Sequence, residues 1–122
     1  ISPGVVALVP GTTLRALLPM VEMWPSSRGR QDVVLAYLKS YSLGMGMAQL
    51  NCFAGCKCAP QTIDAHDPKA TASIFAELHV LVQVEHMPHG YKKGLKKGHK
   101  YCGVQLQVLN TTSGAGHKFK VR

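Results

Sequence analysis

Residues 50–60 read LNCFAGCKCAP and place Cys52, Cys56 and Cys58 within seven positions; the remaining cysteine is Cys102. This cluster constrains the fold more than any other feature. Cys56 and Cys58 are separated by one residue, a poor chelate for one tetrahedral zinc ion, which usually takes paired ligands at wider spacing. No C-x-x-C is present, so a thioredoxin-type redox motif is lacking. An even number of cysteines points to two disulfides, and neither a metal nor another cofactor is expected. A Cys56–Cys58 bridge would be strained. Two pairings remain open: Cys52–Cys58 with Cys56–Cys102, or Cys52–Cys56 with Cys58–Cys102. Either way, one bridge closes a small loop and the other ties it to a distant strand. The long bridge encloses about 45 residues and is worth about 4 kcal/mol by loop entropy. Such a staple implies an oxidising compartment, hence an extracellular or cell-surface, secreted protein.

The chain of 122 residues is expected to form one domain, 1–122, with 1–25 as a possible strand-donating segment. The weakly charged N-terminal stretch is broken by Pro3, Pro10 and Pro19 and interrupted by Arg15 and Glu22, so no membrane span is expected. A start at Ile1 without a basic and apolar leader reads as a processed or excised chain.

Period two dominates the rest. Residues 33–38 are apolar on both faces, as in a central strand. Ala48, Leu50 and Cys52 share a face; so do Leu78, Val80, Val82 and Val84, and so do Cys102, Val104, Leu106 and Val108, with Gln105 and Gln107 opposite. Phe119 and Val121 alternate with Lys118, Lys120 and Arg122. Val5–Val9 and Leu14–Leu18 read as two short strands, and Ala70–Leu78 is the one stretch with a helical alternative. Turn residues at 25–29, 42–46 and 113–116 separate the runs. The predicted fold class is all-β: an antiparallel, jelly-roll-like β-sandwich stapled by disulfides.

The segments AYLKSYSLGMGMAQLNCFAGCKCAP (36–60), TIDAH (62–66) and YCGVQLQVLNTTSGAGHKFKV (101–121) carry a resemblance. Tyr37, Leu38, Ser40, Tyr41, Met45, Gly46, Ala48, the four cysteines, Gly55, Pro60, Asp64, His66, Ser113, Gly116, His117, Lys118 and Lys120 fall on its pattern. The chain resembles the C-terminal β-sandwich region of secreted plant and green-algal SGNH (GDSL)-hydrolase-like proteins, over about residues 33–122. The hydrolase region with its nucleophilic serine block lies outside this resemblance, so no activity is carried over. Family members continue past HKFKV into another apolar strand. The resemblance therefore implies an open groove beside the last strand, for which Val5, Val6, Leu8 and Val9 are the expected donor strand of a neighbouring copy.

Other constellations have plainer readings. YKKGLKKGHKY (91–101) holds Lys92, Lys93, Lys96, Lys97 and Lys100 and much of the net charge of +8. It suits a polyanion such as an acidic glycan, while nucleic acid is disfavoured because stacking aromatics and a known module are lacking. Asp64 and His66 suit an Asx-type turn better than acid–base chemistry. His86 and His89, around Met87-Pro88, suit a polar turn. Asn110-Thr111-Thr112 is an N-glycosylation sequon. No G-x-S-x-G, H-E-x-x-H or phosphate loop occurs. The leading expectation is a non-enzymatic extracellular structural module that self-assembles into filaments with copies of itself. The alternative is a carbohydrate-binding module for acidic or neutral glycans, marked by exposed aromatics with polar neighbours on one sheet face.

Overall fold

A computed structural model describes residues 5–20, 30–84 and 100–122. The strands are β1 (Val5–Ala7), β2 (Thr13–Met20), β3 (Arg30–Lys39), β4 (Met47–Ala54), β5 (Cys56–Lys57), β6 (Gln61–Asp64), β7 (Ile74–Val84), β8 (Lys100–Val108) and β9 (Phe119–Val121). Among the described residues there is no helix, and so none long and apolar enough to cross a membrane. One sheet has the order β1-β9-β3-β7-β5 and the other β2-β8-β4-β6, with antiparallel pairing between the strands. Setting the two-residue β5 aside, each sheet has four strands, and the chain changes sheet at every connection except β4 to β6. This is the connectivity of a jelly roll.

The alternations explain the layers. Val80, Val82 and Val84 of β7 point inward to meet Ala48 and Leu50 of β4 and Cys102, Leu106 and Val108 of β8, all buried. The β3 run is central, flanked by β9 and β7, with Tyr37 stacked on the fully buried Phe119 at 5.8 Å between ring centroids. Leu14 and Leu18 of β2 pack on the core, while Ala16 remains exposed. Ala70–Leu78 is not helical: β7 starts at Ile74, because Ala76 and Leu78 continue the inward set of Val80. Gln61–Asp64, not foreseen as a strand, pairs with β4 as an edge through Ile63, its one buried residue.

The expected donor strand is corrected here. Val5, Val6 and Ala7 pair with Val121, Lys120 and Phe119 of the same chain. Ala7, 4% exposed, closes the core opposite Phe119, so the position beside β9 is filled in cis. Pairing within one chain avoids the translational and rotational cost of association, about 4 kcal/mol or more. Leu8 and Val9 lie beyond the strand and are exposed.

The two bridges are Cys52–Cys58 and Cys56–Cys102, the first of the two open pairings. Cys56, on the edge strand β5, reaches across to Cys102 on β8, so this bridge joins the two sheets. Between Cys52 and Ala54 the β4–β8 register shifts by a bulge. Gly55 follows with φ of 74°, and a Cβ there would run into the Tyr101 carbonyl oxygen. Disulfides of this kind belong to an oxidising, extracellular-type environment.

The opposite end of the sandwich is closed by backbone. The 42–46 loop crosses the 113–118 loop, with Ala115 N–H donating to Leu43 O, Lys118 N–H to Gly44 O and Gly46 N–H to Lys118 O. A Cβ on Gly46 would lie 2.6 Å from the His117 Cα, and one on Gly116 would meet the Gly44 carbonyl. The G-M-G and S-G-A-G-H-K motifs are therefore two halves of one interlock.

Two outcomes follow. Replacing Cys56 and Cys102 with Ser should cost about 4 kcal/mol by loop entropy, and replacing Cys52 and Cys58 about 2 kcal/mol, read from urea unfolding midpoints. Equal losses would refute this assignment of roles. Gly55→Ala should destabilise by about 1–3 kcal/mol through backbone strain, whereas Gly44→Ala, whose Cβ meets nothing closer than 3.6 Å, should change little.

Candidate functional site

The outward face of the β2-β8-β4-β6 sheet is built by the residues between the buried ones, since successive side chains on a strand alternate. Because Ala48, Leu50, Leu106 and Val108 point inward, Gln49, Asn51, Gln105 and Gln107 point outward. Strand register sets them in rows. Thr13, Gln107, Gln49 and Thr62 form one row across all four strands, and Arg15, Gln105 and Asn51 form the next. Neighbouring strands stand about 4.8 Å apart and same-face residues about 6.8 Å along a strand, a lattice on the scale of a sugar ring. Each amide offers two donors and an acceptor in one plane.

Beyond the amides the face turns apolar. The bulge throws Phe53 over Gly103, where a Cβ would meet the ring at 2.8 Å. The ring covers backbone that a side chain would otherwise cover, a known way of supporting a strand glycine. Its own exposure remains 42%, beside Leu17 (opposite Gly103) at 62% and Tyr101 (opposite Pro19) at 49%. The Arg15 guanidinium lies 4.8 Å from the Phe53 ring centroid, a cation–π distance, and its Nε donates to Gln105 Oε1 at 2.6 Å. β2, β4 and β8 contain no Asp or Glu; on β6, Asp64 lies at the far end, opposite Met47.

The outer face of the other sheet differs. His79 Nδ1 lies 2.6 Å from Asp32 Oδ2, and its Nε2 lies 3.7 Å from Glu77 Oε1. Phe75 is flanked by Arg122 at 4.8 Å and Lys120 at 5.7 Å. That face groups Asp32, Glu77 and His79 together and sets two cations over Phe75, whereas in the two amide rows Arg15 is the charged side chain.

The remaining sequence-predicted positions resolve as follows. Asp64 accepts the His66 N–H in the expected Asx turn, and Asp67 accepts the Lys69 N–H in a second one. The buried His66 ring contacts Ser113 Oγ at 3.2 Å, and among the described residues no carboxylate is paired with the ring. Asn110 is exposed; its carbonyl accepts from His117 Nε2, and Thr112 Oγ1 donates to Met45 O. The sulfurs of Cys52, Cys56 and Cys102 lie within 4.8 Å of one another because the two disulfides are adjacent. Lys100 opens β8 opposite Met20; Lys92, Lys93, Lys96, Lys97, His86 and His89 lie outside the described residues.

The amide face itself was only half visible in the sequence. Gln105 and Gln107 were seen to face away from the core, but Gln49, Asn51, Phe53 and Arg15 were not joined to them. The available signal is chemical: outward positions of β4 and β8 carry amides, where a merely solvated face usually carries Lys and Glu.

No protein-family model, curated protein or solved structure matches this chain.

The Asp32 hydrogen bond, with the charge of the same carboxylate, raises the His79 pKa above its ordinary 6.5. The imidazolium therefore contributes stability in full below pH 6.5, and the contribution fades as pH rises through the folded-state pKa. Titration by NMR should place His79 above 6.5, and Asp32→Asn should bring it back down; an unmoved pKa in the variant would refute the pairing.

Proposed function

We propose that this chain is a non-catalytic glycan-binding module, with the outward face of the β2-β8-β4-β6 sheet as its binding surface. The observation that carries this reading is the combination on one face of four outward amides, Gln49, Asn51, Gln105 and Gln107, with an apolar strip of Leu17, Phe53 and Tyr101. Sugar hydroxyls need donors and acceptors in fixed places, which planar amides supply. The C–H faces of a pyranose need an apolar partner, which the strip supplies. Phe53, Arg15 and Gln105 hold one another, so part of the ordering cost of binding is met before a ligand arrives.

Secretion belongs to the same proposal. It is supported by the two disulfides and by the exposed sequon asparagine, Asn110, on the connection after β8, away from the strip. The Thr112 hydroxyl is engaged in the folded loop, so a glycan on Asn110 would be added before that loop closes. The sequence resemblance to SGNH-hydrolase-like proteins supports the same setting, a binding sandwich related to an esterase-like parent, and supplies no catalytic residue.

The test is affinity electrophoresis and calorimetry against a panel of plant and algal polysaccharides. Asn51→Ala with Gln107→Ala should weaken binding about tenfold, a typical loss for hydrogen-bonding side chains in a binding site, without lowering the unfolding midpoint. A panel with no binder, or a binder indifferent to these changes, would refute the reading.

A further inference from the structure

The amide face carries a feature that hydroxyl recognition does not require: a fixed guanidinium. Arg15 stands on the edge strand β2, with its Nε bonded to Gln105 and its Cζ 4.8 Å from the Phe53 ring centroid. The Nε bond is the hydrogen bond Arg15 makes among the described residues. It uses one of the five N–H groups of a guanidinium. The four on the terminal nitrogens remain, in the pair geometry that grips a carboxylate or sulfate through two parallel hydrogen bonds. A free surface arginine loses rotamer freedom when it binds an anion; this one is already held on two sides.

The surroundings favour an anion as well. Described acidic side chains are concentrated elsewhere: Asp32 and Glu77 pair with His79 on the other sheet, and Asp64 and Asp67 cap turns at the far end. Within the Arg15 row stand only Gln105 and Asn51, which are neutral and can bond the hydroxyls flanking a charged substituent. The Phe53 ring, its centroid 4.8 Å from the Arg15 Cζ, stands on one side of the guanidinium and leaves that side without a competing acidic group.

We infer that Arg15 makes the face selective for an anionic sugar residue, its terminal nitrogens gripping a carboxylate or sulfate while Asn51 and Gln105 bond the adjacent hydroxyls. This inference rests on the glycan-binding reading and can fail without it. The chemistry is shared by uronic acids and sulfated sugars.

The experiment uses the whole chain and two matched pairs: polygalacturonate with its methyl ester, and a sulfated galactan with its neutral counterpart. The charged member of at least one pair should bind about tenfold more tightly than the neutral one, as expected for a charge-assisted pair. Preference in the first pair assigns a carboxylate, and in the second a sulfate. Arg15→Gln should abolish the preference; loss of its contacts to Gln105 and Phe53 should weaken the charged and neutral members of each pair to the same final affinity. Arg15→Lys should restore only part of it, since the charge returns without the fork. A combined Lys92→Gln, Lys93→Gln, Lys96→Gln and Lys97→Gln variant should keep the preference. If that variant loses it while Arg15→Gln retains it, or if charged and neutral members bind alike, the inference is overturned and the glycan reading stands. If no member binds, both fall.

Discussion

The bridge from Cys56 to Cys102 is the constraint on which the rest of this molecule turns. It ties the outermost strand of one sheet to a strand of the other, at the end where β4 leaves its ladder. To reach that position, the chain after Cys52 must leave regular pairing, and it does so through the bulge and the positive φ of Gly55. The bulge re-aims Phe53 onto Gly103, and Phe53 in turn supports Arg15. A covalent device on the inside thus determines a surface arrangement on the outside.

The two ends of the sandwich solve the same problem by different means. At one end the layers are held by sulfur. At the other, the 42–46 and 113–118 loops exchange backbone hydrogen bonds at distances that only glycine permits. The sequence motifs most specific to this chain fall on these two closures, so their specificity reports how the sandwich is shut. The amide face lies between them on strands of ordinary alternation.

That division explains what could be read from sequence. The β7 and β8 runs bury one face along their length, so period two identifies both the strands and their inward residues, whereas β3, apolar on both faces, is legible as a central strand without showing which face turns inward. The sheet order was not legible, because it depends on which alternations meet across the core. The pairing of Cys52 with Cys58 rested on geometry that spacing alone leaves open. Val5–Ala7 is legible as a strand, but its apolarity leaves open whether it pairs within its own sandwich or with a neighbouring copy; the burial of Ala7 beside Phe119 gives the pairing within the chain. Arg15 lay in a stretch read for hydrophobicity, where a single cation counted as an interruption.

The pairing of β1 with β9 has a mechanical consequence. Val5 faces Val121 at one end of an antiparallel ladder of three residue pairs. Tension applied through Val5 and Arg122 would load that first pair alone, then the next, opening the ladder like a zipper. Loaded in shear, the three pairs would yield together. Hung in a stretched polymer network from these two points, the sandwich would give first at its β1 edge. Its amide face, on the opposite sheet and stapled through Cys102, would keep its shape while the edge opened.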